Sequence, residues 1–109
     1  MSWIDDVTLE LARAAEAQKA GSAGRTRTSA RRAVGWAISE FQKRKPERYY
    51  GEDFIQQLRT FMEDGTLPED IRRAAKRLQA RLTHDFKSAS EDPIADALII
   101  ITFIRDELA

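Results

Sequence analysis

The chain has no cysteine, and that absence removes both a disulfide framework and every thiolate metal site. A single histidine, His84, leaves no ordinary zinc site, and the residue three before it is Arg81, so the Glu-x-x-His unit of a di-iron bundle is absent too. No metal and no cofactor is expected. An excess charge of either sign is missing as well: 18 Lys and Arg stand against 18 Asp and Glu, so the chain as a whole attracts neither nucleic acid nor a membrane surface. Any electrostatic function must be local. Long apolar runs are also lacking, since the greasiest stretch, "IADALIIITFI" at 94–104, is too short to span a bilayer and contains Asp96. The acidic start "MSWIDDVTLE" does not have the basic-then-apolar layout of a signal peptide, which makes a cytoplasmic protein without a membrane partner the expectation. The Gly-rich "GSAG" at 21–24 has no strand before it and no Gly-Lys-Ser/Thr after it, so it reads as a helix junction rather than a phosphate loop.

What is present is helix. With 42% hydrophobic and 33% charged residues over 109 positions, the chain suits one soluble domain with a single core. Ser2 caps a first helix over 3–19, with Asp5 and Asp6 in its first turn. A second runs over 25–44, or from Ala23, and ends before Pro46; its apolar stripe is Ala30, Ala33, Val34, Ala37, Ile38 and Phe41. A third covers 52–63 with Phe54, Ile55, Leu58, Phe61 and Met62 inward, and Gly65 stops it. Pro68 opens a fourth over 68–87, striped by Ile71, Ala74, Ala75, Leu78, Leu82 and Phe86. Asp92 and Pro93 repeat that start for a fifth over 93–108. Short connections favour antiparallel neighbours, giving an all-α, up-and-down bundle.

The fifth helix is apolar over more than one face. Ile94, Ala97, Leu98, Ile101, Ile104 and Leu108 share one side, while Ile99, Ile100 and Phe103 lie around the cylinder. Either its own bundle surrounds it or a second subunit covers part of it, and closed two-fold symmetry makes a homodimer the simplest form of the latter. The expected common core is Phe41, Phe54, Leu58, Phe61, Leu78, Leu82, Leu98 and Ile101.

The succession "SARRAVGWAISEF", "YYGEDFIQQLRTFMEDGTLPEDIRRAAKRL" and a closing apolar helix after "SEDP" resembles the small prokaryotic HEPN domains (higher eukaryotes and prokaryotes nucleotide-binding) over residues 25–109. The resemblance implies a HEPN-like bundle that is often dimeric. It also implies association with RNA or nucleotide: some members are metal-independent ribonucleases or toxins, with a nucleotidyltransferase or antitoxin partner, and many have no catalysis. The ribonuclease members carry an Arg followed after a short gap by a His, and Arg77 and His84 match that pattern at its longest gap. The chemistry would be a histidine exchanging the proton of a ribose 2′-hydroxyl while an arginine steadies the phosphate.

Read from the residues alone, Arg73, Arg77, Arg81 and His84 form the polar strip of the fourth helix. Such a strip is either a solvated face or a contact for a phosphate backbone through Arg73, Arg77 and Arg81. On the second helix, Arg25, Arg32, Trp36 and Lys43 share a flank away from Val34 and Phe41, where the indole either stacks on a base or packs against helix one. The acidic pairs Glu52/Asp53, Glu69/Asp70 and Glu91/Asp92 sit at helix starts, where the dipole accounts for them. The sequence therefore points to a homodimeric binding or regulatory module. Its alternatives are a ribonuclease using Arg77 and His84 and a non-catalytic partner subunit of another protein.

Overall fold

The computed structural model describes residues 2–80 and 90–109. They form five helices, α1 (Trp3–Lys19), α2 (Ala23–Arg44), α3 (Phe54–Met62), α4 (Glu69–Gln79) and α5 (Pro93–Leu108), with no strand among the described residues. Local chemistry accounts for the helix starts. Ser2 and Asp5 form a reciprocal capping box on α1, Ser22 accepts from the Arg25 amide on α2, Asp53 from the Gln56 amide on α3, and Asp92 from the Ala95 amide on α5. Gly21, at φ 74°, takes the left-handed conformation that turns the chain out of α1.

The long helix α2 is the centre of the bundle: α1, α3 and α5 all pack on it, and α4 closes the far side between α3 and α5. Its stripe Ala30, Ala33, Val34, Ala37, Ile38 and Phe41 is buried as the spacing requires. Around Phe41 the core is aromatic. Tyr50 stacks on it at 6.3 Å, Phe103 meets it edge-on at 6.4 Å, and Phe61 meets Tyr50 edge-on at 5.1 Å. Phe41, Leu58, Phe61, Leu78 and Ile101 share that core as expected; Leu82 lies outside the described residues.

Three expectations change. Leu98 is 44% exposed and Ile99 38%, while Ile100 is fully buried, so α5 is turned by about one residue from the face read from its spacing and is not enclosed by its own bundle. Ile55 is 70% exposed, and Phe54 is half-buried against α2 rather than in the core. Helix α4 stops at Gln79 with Ala80 in extended conformation, and 81–87 of the expected span lie outside the described residues. The cause is Arg31 of α2. Its Nε donates to the carbonyl of Leu78 at 2.7 Å, and its Nη2 donates to those of Gln79 at 3.1 Å and Ala80 at 2.9 Å. The three last carbonyls are thereby satisfied where a further turn of helix would have used them.

Candidate functional site

The strip of α4 separates into unlike residues. Arg73 donates to Glu69 at 2.7 Å in an i,i+4 pair with both side chains about two-thirds exposed, an arrangement that costs little to open. Arg77 instead crosses to α5. Its Nη2 and Nε donate to Asp96 Oδ1 at 2.7 and 3.1 Å, and Nε also lies 3.3 Å from Oδ2. The Asp96 side chain is only 9% exposed, and the Ser90 hydroxyl donates to its second oxygen at 2.6 Å. The hydrogen bonds to Asp96 raise the Arg77 guanidinium above its ordinary range against the opposing pull of burial. Arg77 thus holds the buried carboxylate of α5 in place. Arg81 and His84 lie outside the described residues.

Just across the bundle, Arg31 makes its three bonds to the end of α4. Burial, and then the nearby charge of Arg27, lower its pKa from an already high value, which leaves the guanidinium cationic. Arg31 and Asp96 therefore tie the end of α4 to α2 and α5. Helix spacing alone indicates neither contact. A signal for Asp96 existed: a lone carboxylate among apolar residues of a packed helix requires a cationic partner.

A second polar network, also not anticipated, pins the loop after α2. Tyr50 donates its hydroxyl to Asp64 at 2.6 Å, and Arg48 Nη1 donates to Asp64 at 3.1 Å and to the Thr66 hydroxyl at 3.0 Å. Burial first, and then the bond to Asp64, push the Tyr50 phenol up to about 12. Burial works to raise the Asp64 carboxyl, but the hydrogen bonds from Tyr50 and Thr66 and the charge of Arg48 hold it below its usual value. The network fastens the loop to the end of α3 and borders an open cleft of about 580 Å³ lined by Glu47, Arg48, Tyr49, Tyr50, Asp64 and Thr66, among others.

The flank of α2 is different in kind. Arg25, Arg32 and Lys43 are exposed, and none of them makes an ion pair among the described residues. Trp36, on the same line, is 38% exposed. Its neighbour is Phe54 of α3, edge-on at 5.6 Å, rather than α1. Between α1 and the start of α2 an open cleft of about 820 Å³ is lined by Arg13, Glu16, Arg25, Thr28, Ser29 and Arg32, among others. Among the described residues no group of three or more His, Asp or Glu is placed to hold a metal ion, and no helix is long and apolar enough to cross a membrane.

No family model, curated protein or solved structure matches the chain. Its function therefore has to be argued from the arrangement itself.

Proposed function

We propose that the protein is a HEPN-like binding module that works as a homodimer joined through the outer face of α5. The observation that carries this reading is the pair Leu98 and Ile99, large aliphatic side chains left 44% and 38% exposed on a helix whose other side is the core. Ala95 and Thr102, also exposed, flank them on the same line and are small enough to let two helices approach closely.

The occupant is a second copy because a two-fold axis at Leu98 lays the same apolar patch on itself and brings Glu91 of each chain toward Arg105 of the other. Arg105 is exposed and lies seven residues after Leu98 on nearly the same line of the helix, and Glu91, also exposed, stands just ahead of the N-cap Asp92. An antiparallel pair of α5 helices with its two-fold axis at Leu98 brings the segment that carries Glu91 toward the end of the partner helix that carries Arg105, and the same approach occurs twice. Leucine meets leucine at the centre.

The test is the mass of the particle in solution by light scattering. The parent chain is expected to be a dimer and Leu98→Glu a folded monomer. Glu91→Arg and Arg105→Glu should each weaken the dimer, and their combination should restore it, since only a reciprocal contact is rescued by exchange. A monomeric parent at high concentration would overturn the homodimer and leave the α5 face to a different chain, as a partner subunit requires. The ribonuclease alternative needs Arg77 to leave Asp96 and act with His84; cleavage of mixed RNA without metal, abolished by His84→Ala, would establish it.

A further inference from the structure

We infer that the outer face of α2, together with the cleft it forms with α1, binds single-stranded nucleic acid, with Arg25, Arg32 and Arg13 on phosphates and Trp36 under a base. The site goes beyond the α5 contact and is independent of it, because the α5 face is formed by other residues.

The steps between Arg25, Arg32, Trp36 and Lys43 are seven, four and seven residues, which at about 100° per residue keep all four within a narrow strip of α2. The strip is roughly 27 Å long at about 1.5 Å per residue. That length accommodates about eight nucleotides at a stacked rise of roughly 3.4 Å, inside the footprint of single-strand binding surfaces.

The cations are unspent. Four arginines elsewhere are paired with carboxylates: Arg44 with Glu40, Arg48 with Asp64, Arg73 with Glu69, Arg77 with Asp96. Arg25 and Arg32 have none among the described residues, although they line one cleft with Arg13, where Glu16 is the acidic residue. Arg13 itself donates to Glu10 at 2.6 Å but keeps its side chain 56% exposed. Arg25 also stands in the first turn of α2, which contains no acidic residue, so the partial positive charge of the helix start adds to its own. Such an arrangement is repulsive until an anion enters it. The hydroxyls of Thr28 and Ser29 lie in the same cleft, as donors of the kind that phosphate oxygens accept.

Trp36 decides between polyanions. An acidic peptide would use the arginines and have no need of an indole between them, whereas a base presents a π face that stacks on one. Phe54 holds the indole edge-on at 5.6 Å, so the ring is fixed in place before a ligand arrives. A duplex keeps its bases stacked inside and cannot use this platform, which selects a single strand.

The experiment is fluorescence anisotropy with labelled oligouridylate and oligothymidylate of about a dozen nucleotides. With three phosphates neutralised, raising salt from about 50 to about 200 mM should weaken binding roughly 20-fold. Arg25→Gln with Arg32→Gln should lower affinity at least about tenfold and flatten the salt dependence. Trp36→Ala should lower it at least about fivefold with the salt dependence unchanged. Arg73→Gln should bind as the parent does, and so should the monomeric Leu98→Glu chain, per site. Circular dichroism of each variant confirms the helical fold. The inference is overturned if neither oligonucleotide binds at low salt, if a duplex of equal length binds as tightly, or if polyglutamate competes equally and Trp36→Ala has no effect. Loss on Arg73→Gln with the α2 variants unaffected would also overturn it, moving the contact to α4.

Discussion

Replacing Arg31 by Met should destabilise the protein about as much as removing the partner of a buried carboxylate, although nothing near it in sequence marks it out. The substitution keeps the aliphatic stem and removes three hydrogen bonds, at 2.7, 3.1 and 2.9 Å, to the carbonyls that end α4. Leu78 is buried and Gln79 and Ala80 are half-buried, so water replaces the lost donors only in part. Counting one charge-assisted bond as lost in full, about 2 kcal/mol, and the others as largely re-solvated gives a loss of roughly 2–3 kcal/mol. Relief from Arg27, whose charge works against that of Arg31, returns a few tenths. In a domain of this size the remainder lowers Tm by about 10 °C and is a large share of total stability. Urea denaturation measures it. Amide exchange localises it: the Ala80 amide, which donates to the Lys76 carbonyl at 3.1 Å, should lose protection ahead of amides in α2. Equal stability of Arg31→Met and the parent, within about 0.5 kcal/mol, would refute the capping argument.

Arg77→Met strands the buried Asp96 carboxylate with Ser90 and should cost about 2–3 kcal/mol, whereas Arg73→Met opens only an exposed pair and should cost under about 0.5; thermal denaturation of the two variants gives the contrast. Gly35→Ala gains helix propensity, but its new Cβ lands inside the Phe54 ring, so the variant should be less stable by about 1–2 kcal/mol and should alter the environment of Trp36, visible in its fluorescence. Tyr50 sets an alkaline limit. Its folded pKa of about 12 lies above the ordinary phenol value of 10.0, so the fold holds the proton more tightly than the unfolded chain does. The stabilisation is complete below pH 10.0 and is lost as pH rises toward about 12, by roughly 2 kcal/mol; Tyr50→Phe should abolish that slope in denaturation midpoints.

The starts of α1 and α5 were legible because caps are local chemistry: Ser2 and Asp92 each accept an amide three residues on, and no other part of the chain is consulted. The stripe of α2 was legible for the same reason, since small residues at three-and-four spacing alternate with charges. The end of α4 was not, because the residue that stops it is 47 positions away from Leu78. Nor was the rotation of α5. With apolar residues at nearly every position from 97 to 101, spacing alone selects no inward face; the choice falls to Asp96, which must meet Arg77, and that contact brings Ile100 inside and leaves Leu98 out. The aromatic core gained Tyr50, a loop residue, through its bond to Asp64.

The candidate site was harder to read than the fold because an arginine is the same letter in three employments. Arg73 in an i,i+4 pair, Arg77 on a buried carboxylate and Arg32 facing solvent differ only in what the folded chain brings near them. Angle around the helix would have narrowed the choice. Arg31 lies on α2 about 120° around from the Arg25–Arg32 line and close to the direction of Ile38, so its guanidinium had to find acceptors inside the bundle. Arg25, Arg32 and Lys43 point the other way and have no such obligation. An arginine that must satisfy the fold is lost to a ligand, and one that the fold does not use is available to it. By that criterion the density of cations on α4, which draws the eye in sequence, overstates its capacity for phosphate. The sparser line on α2 keeps its charge free and has an aromatic ring set within it.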